Sequence, residues 1–589
     1  MHDDTAADRS GRPHPPSFPG PPPARSAPPP GPDGLLEGRG GGPARAHRVP
    51  AALAEGGWWS PRELVRRTAV AHRTVQGVLD ALAGEVEWDA DGARVRLVRP
   101  GDYADYDRPQ TADPVAHLRG GHEEAAAELR RLVDGAPAPR TDLDHVSATA
   151  DTALRRGLML QARFHAAGTR LLCVGDHDLT ALAAALVCPG LQAVAVDIDE
   201  RMLAYIDDAA SRLGLPVHCH FADLRLGLPD AVRGGADAVF TDPPYTPEGV
   251  ELFVRRGLEG LADSRHGRVL LAYGASETTP ALTAGTQARL SGLGLVTEAL
   301  WPDFNRYLGA EAIGAASDLY VLRPTGRTPR QGRGGTGARA RVYSRGANAA
   351  EAAGALGEAE ARAVVERVAA ESAVGEWPDG ALEPVSGPGG GEPRTPRRVL
   401  LGTWLQSPVE AGRAAVNLTG GWEDLLARAL QAAPGPEAAA VVPASHPQVR
   451  DRAGQQELIG LLEPRWSVRF LRGTPGPRLT TVYTTQRPVG GDPAERLLLH
   501  CQRRAHGRLA ATLREGLVRV AAEAGTPVNK RTARHAVAEA APWLSGHTLL
   551  DLPAHRMPLL RAAAAELAAR AAAAAAGPSN EDARDGRRE

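Results

Sequence analysis

The sequence contains no apolar run of about 18 residues or more, the length that a helix needs to cross a bilayer. It also lacks an apolar signal core, since it begins with Met1-His2-Asp3-Asp4 and continues into proline and glycine. The 589 residues carry a formal net charge of only -2, which gives no overall attraction to nucleic acid or to anionic membranes. These absences predict a cytoplasmic protein with neither a membrane nor a specific nucleic acid as partner.

Cysteine and lysine are both scarce. The four cysteines, Cys173, Cys188, Cys219 and Cys501, show no CxxC spacing, so we expect reduced core thiols and neither a disulfide framework nor a zinc site. Lys530 is the single lysine, and alanine, glycine and proline are in excess. This usage is typical of a GC-rich bacterial genome and indicates no particular function.

The chain is too long for a single hydrophobic core, and changes in its composition indicate where one region ends and the next begins. Residues 1–47 and the tail 577–589 are predicted to be disordered, and 326–397 to be a linker that contains one helix. Four structured regions are predicted: a winged-helix-like domain at 48–100, a class I methyltransferase-like Rossmann domain at 112–325, an α/β accessory region at 398–490 and a helical region at 491–576. No internal repeat is evident, and the second half shows no catalytic motif.

Residues 48–100 show three helical segments followed by a two-stranded wing. Val86–Trp88 would pair with Ala93–Val98 across Asp91-Gly92, a common hairpin turn. Such a module binds DNA in some proteins and packs against protein in others. The predicted third helix carries only Arg73 at its start, which favours packing or dimerisation. We therefore also expect a homodimer.

Residues 171–323 alternate strand and helix in the manner of a parallel, doubly wound sheet. Ligands of such sheets bind beyond the carboxyl ends of the strands. Strands are predicted at Leu171–Gly175, Ala193–Asp197, Val217–Phe221, Ala238–Thr241, Val269–Gly274, Leu295–Trp301 and Leu319–Leu322.

Acidic residues follow the first three of these strands. The first ends in Gly175-Asp176-His177-Asp178, where methyltransferases usually have a G-x-G turn; a helix cap at Asp178 would explain one of these carboxylates but not both. The second ends in Asp197-Ile198-Asp199, where nucleoside-binding folds place the carboxylate that holds the ribose. Asp223, after the third strand, suits an adenine amino group or is a solvated loop acid. Gly175, Asp176, Asp197, Asp199 and Asp223 are thus predicted to bind a nucleoside donor.

The fourth strand ends in Asp242-Pro243-Pro244-Tyr245, a turn that nitrogen-alkylating proteins use. The prolines fix the backbone, the carboxylate can accept from an amine, and Tyr245 offers a ring face. An aliphatic amine has a pKa of about 10 and must lose a proton before it attacks. Asp178 and Asp242 are predicted to be the catalytic residues that orient the ammonium and accept this proton. A sulfonium is already an activated leaving group, so no metal or prosthetic group is expected.

Taken together, these motifs resemble those of the branched-chain polyamine synthases, or N4-bis(aminopropyl)spermidine synthases. The similar segments, within about 49–325, are LDHVSATADTALRR, GDHDLT, VDIDERM, TDPPYT, WPDFNRYLG and SDLYVLRP. The resemblance implies that aminopropyl moves from decarboxylated S-adenosylmethionine, the co-substrate, to the secondary amine of spermidine, releasing methylthioadenosine. It points to Asp178 as the catalytic acid, and it places Asp144, His145, His177 and Tyr245 beside the substrate.

The sequence departs from the family's pattern at two positions. Where the family has G-D-D-D, His177 replaces the middle acid, which lowers the negative charge that would attract a polyamine. Where the family has F-D-Q, this chain has Leu143-Asp144-His145.

Two other functions remain open from the residues alone. An S-adenosylmethionine-dependent N-methyltransferase acting on nucleic acid or protein would also use a D-P-P-Y turn, although the acidic first turn opposes it. A transcription regulator could use the same domain to sense a nucleoside or a polyamine. Because the catalytic pattern closes before the linker, a chain ending near 325–340 is expected to fold and to bind the donor.

Overall fold

The computed structural model describes residues 45–106, 112–274, 279–329, 356–384, 393–544 and 546–576. The predicted disordered tail, nearly all of the predicted disordered N-terminus and much of the predicted linker lie outside these ranges. Within them, no helix combines the length and the apolar character required to cross a membrane. The chain divides into two compact units, one ending at Arg108 and the other beginning at Pro109.

The first unit consists of three helices and a two-stranded antiparallel sheet. Ser60 caps the second helix, because its side chain accepts from the backbone N–H of Glu63 while the Glu63 carboxylate accepts from the backbone N–H of Ser60. The elements are α1 (Arg48–Ala54), α2 (Pro61–Thr68), α3 (His72–Ala81), β1 (Val86–Trp88) and β2 (Val95–Leu97), followed by a 3₁₀ segment (Pro100–Tyr106). The winged-helix function of this unit stays a prediction.

The second unit begins with an α/β domain built on a seven-stranded sheet of order β5-β4-β3-β6-β7-β9-β8. Its strands are β3 (Arg170–Val174), β4 (Gln192–Asp197), β5 (Val217–Phe221), β6 (Ala238–Thr241), β7 (Arg268–Tyr273), β8 (Leu295–Arg306) and β9 (Ala316–Pro324). The first five strands begin and end within one residue of their predicted bounds, whereas β8 and β9 are longer than predicted.

The sheet is mixed, whereas the alternation of the sequence predicts a parallel one. Strands β3 to β7 are parallel, but β9 runs antiparallel between β7 and β8. The connection 307–315 between β8 and β9 is too short for the crossover that a parallel pair requires.

Helices cover both faces of this sheet, and every residue of β6 is buried as expected for a strand between two layers. The helices are α4 (Glu123–Gly135), α5 (Ala150–Arg163), α6 (Thr180–Val187), α7 (Glu200–Leu213), α8 (Pro247–Gly260) and α9 (Pro280–Gly292). The chain leaves β3 toward β4 on one side and reaches β6 on the other. The carboxyl ends of β3 and β6 therefore flank the topological switch point, where such sheets leave a crevice.

A second, six-stranded sheet follows, of order β11-β10-β12-β13-β15-β14. Its strands are β10 (Ser372–Val374), β11 (Arg397–Val399), β12 (Ala414–Asn417), β13 (Glu437–Pro443), β14 (Trp466–Arg472) and β15 (Leu479–Gln486). Strand β10 falls in the range predicted to be a linker, and that part of the prediction is wrong. The strand has only three residues beside glycine- and proline-rich sequence, too few to show a periodic pattern.

Helices surround the second sheet and continue to the end of the described chain. They are α10 (Glu358–Arg367), α11 (Leu401–Gln406), α12 (Leu426–Ala432), α13 (Pro447–Arg450), α14 (Arg452–Leu462), α15 (Pro493–Arg503), α16 (Leu509–Glu523), α17 (Lys530–Ala540) and α18 (Met557–Ala576). All four cysteines are free thiols and buried.

The two sheet domains share one apolar core, which includes Phe221 of β5 in the first and Trp404 of α11 in the second. Polar contacts join them as well. The backbone N–H of Phe221 donates to the carbonyl of Asp551 at 2.9 Å, and Arg556 donates from Nε to Asp207 at 2.7 Å. The C-terminal half therefore packs directly against the first α/β domain.

Candidate active site

A crevice lies at the carboxyl ends of the first sheet's strands, where the topology places it. It is lined by most of the residues that the sequence singles out: Asp144, His145, Gly175, His177, Asp197, Asp223 and Asp242. Leu143, Ile198, Pro244 and Phe253 add apolar wall, and Arg225 adds a cation. Asp176, Asp178, Asp199 and Tyr245 do not line it.

Gly175 forms the floor of the crevice in a conformation that favours glycine. Its φ is +73°, and a Cβ there would lie 3.0 Å from the ring of Phe253. Its N–H donates to the carbonyl of Val196 at 2.9 Å, which fixes the turn after β3 against the neighbouring strand. Any larger residue would strain the backbone and push into the crevice.

Two of the predicted donor-binding acids serve helix N-termini. The carboxylate of Asp176 accepts from the backbone N–H groups of Thr180 at 2.7 Å and Ala181 at 2.9 Å, and burial raises its pKa to about 7. Asp199 caps α7 by accepting from the N–H of Arg201 at 3.1 Å. The helix cap considered for Asp178 is therefore supplied by Asp176.

Asp197 ends β4 and Asp223 follows β5, in the part of the crevice where a ribose and an adenine are expected. The Asp197 carboxylate accepts one backbone N–H on each oxygen, from Asp176 and from Asp199, both at 2.8 Å. Asp223 forms a bidentate pair with Arg225, whose Nη2 lies 2.6 Å from its Oδ2. A carboxylate has about four lone-pair sites, so Asp197 retains acceptor capacity for hydroxyl groups.

Arg156, to which no role is assigned from sequence, joins the two predicted catalytic acids. Its fully buried guanidinium lies 3.0 Å from Oδ2 of Asp178 through Nη1 and 2.6 Å from Oδ2 of Asp242 through Nη2. Its Nε donates to Oδ1 of Asn305 at 2.9 Å, and the ring of Phe240 lies 4.6 Å below it. The two carboxylates thus share one cation in the core.

The two acids differ in their readiness to take a proton. Burial raises the pKa of Asp242 to about 6, against the opposing effect of Arg156. Burial acts in the same sense on Asp178, but His177 and Arg156 outweigh it and lower the pKa of Asp178 to about 2. Of the pair, Asp242 lines the crevice and has the pKa closer to neutrality, which suits a proton acceptor.

Tyrosine hydroxyl groups hold Asp242 in place. Tyr245 donates to its Oδ1 at 2.9 Å and Tyr307 to its Oδ2 at 2.8 Å. Burial raises the pKa of both tyrosines well above the usual value, so they remain protonated donors. In this structure Tyr245 therefore contributes its hydroxyl to the carboxylate, and its ring packs edge-on against Tyr273 with centroids 5.6 Å apart.

His145 and His177 both line the crevice, and their rings stack with centroids 4.3 Å apart. Nε2 of His177 lies 3.5 Å from Oδ1 of Asp178. Burial lowers the pKa of His177, but the carboxylates of Asp178 and Asp242 outweigh it and raise that pKa. Burial and then the charge of His177 lower the pKa of His145 well below its usual value. The two shifts favour a neutral His145 ring stacked on a more readily protonated His177 ring.

The residues that sequence analysis left without a role are Arg156, Asn305 and Tyr307. They lie in the segments TADTALRRG and WPDFNRYLG. Arg156 itself was a usable signal in the sequence. It falls among the apolar positions of α5, and an arginine is buried at such a position only when it is paired with an acid.

The part of the chain that contains this site is similar to known proteins. Residues 124–327 match the family model of the branched-chain polyamine synthase A C-terminal domain. An uncharacterized protein of Methanocaldococcus jannaschii is 35% identical over 201 residues, which are 34% of this chain and 48% of that protein. An N(4)-bis(aminopropyl)spermidine synthase of Thermus thermophilus is 38% identical over 120 residues, which are 20% of this chain and 35% of that one.

The chain spans half or less of the length of these curated relatives. Among solved structures it is similar to the branched-chain polyamine synthase from Thermus thermophilus in complex with N4-aminopropylspermidine and 5'-methylthioadenosine. That structure has 24% sequence identity and a TM-score of 0.40, with 53% of this chain and 96% of that chain covered.

Proposed function

We propose that the chain transfers aminopropyl from decarboxylated S-adenosylmethionine to the secondary amine of spermidine. The proposal starts from the match of residues 124–327 to the family model of the branched-chain polyamine synthase A C-terminal domain. Methylthioadenosine is the second product. The observation that carries the proposal is that Asp197, at the end of β4, and Asp242, in the D-P-P-Y turn after β6, line the same crevice on either side of β3.

The donor would lie along the floor made by Gly175. Its ribose hydroxyl groups would donate to Asp197, and its adenine would lie toward Asp223 and Arg225. This arrangement directs the sulfonium and its aminopropyl arm toward His177 and Asp242. Asp176 and Asp199 would support the donor only indirectly, because they hold the two helices whose N-termini flank the crevice.

The acceptor ammonium would bind beside Asp242. There His177 lines the crevice, its pKa is raised by Asp178, and in its protonated form it would oppose an incoming polyamine cation. Asp144 and His145 line the same stretch of the crevice and would contact the polyamine chain. His145 is neutral, and its buried Nδ1 has no hydrogen-bond partner in the described structure.

The transfer itself needs alignment and one proton acceptor. The acceptor nitrogen loses its proton to the Asp242 carboxylate, and its lone pair attacks the methylene carbon attached to sulfur. The carbon–sulfur bond breaks and its electron pair returns to sulfur, which leaves as the neutral thioether of methylthioadenosine. Asp178 maintains the arrangement by pairing with Arg156 and His177.

Calorimetric titration with the two sulfonium nucleosides tests the donor. S-adenosylmethionine carries a carboxylate on the arm that would approach Asp242, and the decarboxylated donor does not. One charge contact at 4 Å is worth up to about 4 kcal/mol at an effective dielectric constant of 20, before screening. A third of that energy gives about tenfold tighter binding of the decarboxylated donor. Equal affinities, or the reverse preference, would instead support an N-methyltransferase.

A further inference from the structure

The second sheet repeats the strand order of the first, with one edge strand missing. Strands β4, β3, β6, β7, β9 and β8 of the first sheet correspond in position, direction and chain order to β11, β10, β12, β13, β15 and β14 of the second. Only β5 has no counterpart. The repeat that the sequence does not reveal is therefore present in the structure.

The turn after the first strand is the same in both sheets. Gly375 follows β10 as Gly175 follows β3, and both have positive φ, +92° and +73°. The N–H of Gly375 donates to the carbonyl of Val399 at 3.0 Å, just as that of Gly175 donates to Val196 at 2.9 Å. Since each acceptor is the register partner of the valine before the glycine, the two turns are equivalent residue by residue.

The carboxylates of the first crevice have no equivalents in the second sheet. The residue after Val399 is Leu400, at the position of Asp197, and its side chain is 71% exposed. The residue after Val416 is Asn417, at the position of Asp242. The ribose-binding acid and the proton acceptor are thus replaced by residues that can do neither task.

The crevice itself is also closed in the second domain. A Cβ on Gly375 would lie 2.6 Å from the carbonyl oxygen of Asn417, so the two strand ends are in contact. The Asn417 amide spans the gap, because Nδ2 donates to the carbonyl of Glu376 at 2.5 Å and Oδ1 accepts from Thr419. A nucleoside has no room between these turns.

The segment 417–424, here called the β12 turn, instead reaches the crevice of the first domain. The carbonyl of Gly421 accepts from Nη2 of Arg225 at 2.5 Å, and the ring of Trp422 lies 3.8 Å from the guanidinium carbon of the same residue. Arg225 in turn holds Asp223, and both line the end of the crevice assigned to adenine.

The same turn also contacts the segment that leads to Asp144. Asp424 accepts from Nη1 of Arg140 at 2.8 Å, and Arg140 also pairs with Asp142, two residues before Asp144, which lines the crevice. One segment of the second domain therefore holds two parts of the first: Arg225, which lines the crevice, and Arg140, just before Asp144.

We propose that the second sheet domain is a repeat of the first that holds no donor, and that its β12 turn completes the donor site of the first domain. Trp422 is then a positioning residue, which acts on the adenine through Arg225 and Asp223. The inference rests on the proposed function, and it gives the C-terminal half a task in the reaction.

The test is calorimetric titration of the full-length chain with methylthioadenosine. Wild type should bind one molecule per chain. Trp422→Leu, which keeps bulk and the Gly421 carbonyl but removes the ring face, should weaken binding about tenfold, equivalent to about 1.4 kcal/mol. Trp422→Phe should restore affinity to within about twofold. The KM for the polyamine should stay unchanged in both variants.

His555→Ala is the matched control, since it removes a contact with Asp207 between the same two domains at a place away from the crevice. It should lower the melting temperature and leave the affinity for methylthioadenosine unchanged. Unchanged affinity in Trp422→Leu, or two molecules bound per chain, would overturn the inference and leave the proposed function intact. If wild type failed to bind methylthioadenosine, both would be wrong.

Discussion

Arg156 donates from Nη2 to Oδ2 of Asp242 at 2.6 Å, in a salt bridge whose arginine side chain has no exposed surface. A buried ion pair of this kind is stable only while all its members are present, because a lone charge in the core is costly. The Asp242 carboxylate, the proposed proton acceptor, is thus part of the structural core as well as of the crevice.

Removal of Arg156 should therefore destabilise the protein strongly. Arg156→Leu leaves Asp178 and Asp242 buried without their cation, and we expect a loss of about 3–5 kcal/mol in the free energy of unfolding. Denaturant-induced unfolding measures this loss. A change below about 1 kcal/mol would mean that the carboxylates find other partners or are solvated.

Activity should rise with pH through about 6. Asp242 has a pKa raised by burial to about 6, so below that pH the carboxyl is protonated and cannot accept the amine proton. Asp242→Asn should lower turnover about 100-fold or more and abolish this limb of the pH profile. Asp178→Asn removes a neighbouring negative charge, so the limb should move to lower pH while turnover also falls. A limb near pH 6 that survives in Asp242→Asn would assign it to another group.

His177→Asp should increase the affinity for the acceptor. The change removes an imidazole whose pKa is raised beside Asp178 and adds a carboxylate to the crevice. Even a fraction of one charge contact at low effective dielectric is worth about 1.4 kcal/mol, so the KM for spermidine should fall about tenfold. His177→Asn, which removes the imidazole without adding charge, should give an intermediate value. A higher KM in both variants would show that His177 helps to bind the polyamine.

A chain that ends near residue 329 should not fold stably, in contrast to the expectation from sequence. Truncation there removes the apolar residues that complete the shared core and the groups that pair with Asp207, Arg225 and Phe221. We expect insoluble protein, or soluble protein without a cooperative thermal transition. A soluble fragment with a sharp transition and full affinity for methylthioadenosine would show that the first domain is independent.

The first domain could be predicted closely because its signals are local. β5 and β6 lie at their predicted bounds, since short runs of buried β-branched and aromatic residues between turn residues are distinctive. The position of the crevice then followed from strand ends alone. The alternation of strand and helix does not indicate whether neighbouring strands pair parallel or antiparallel. The antiparallel direction of β9 could therefore not be predicted.

The roles of individual acids were less predictable, since they depend on contacts distant in sequence. Asp176 and Asp178 are two residues apart, yet one caps a helix and the other pairs with Arg156, 22 positions earlier. The second domain was the least predictable. Its short strand β10 lies in glycine- and proline-rich sequence, and the domain's contacts with Arg140 and Arg225 span 284 and 196 positions of the chain.

The most direct test of the proposed reaction is mass spectrometry of spermidine after incubation with the full-length protein and each sulfonium donor in turn. With decarboxylated S-adenosylmethionine, we expect spermidine to gain one or more aminopropyl groups and methylthioadenosine to appear in equal amount. With S-adenosylmethionine, we expect spermidine to remain unchanged. A gain of methyl from S-adenosylmethionine, or unmodified spermidine with both donors, would contradict the assignment as an aminopropyltransferase.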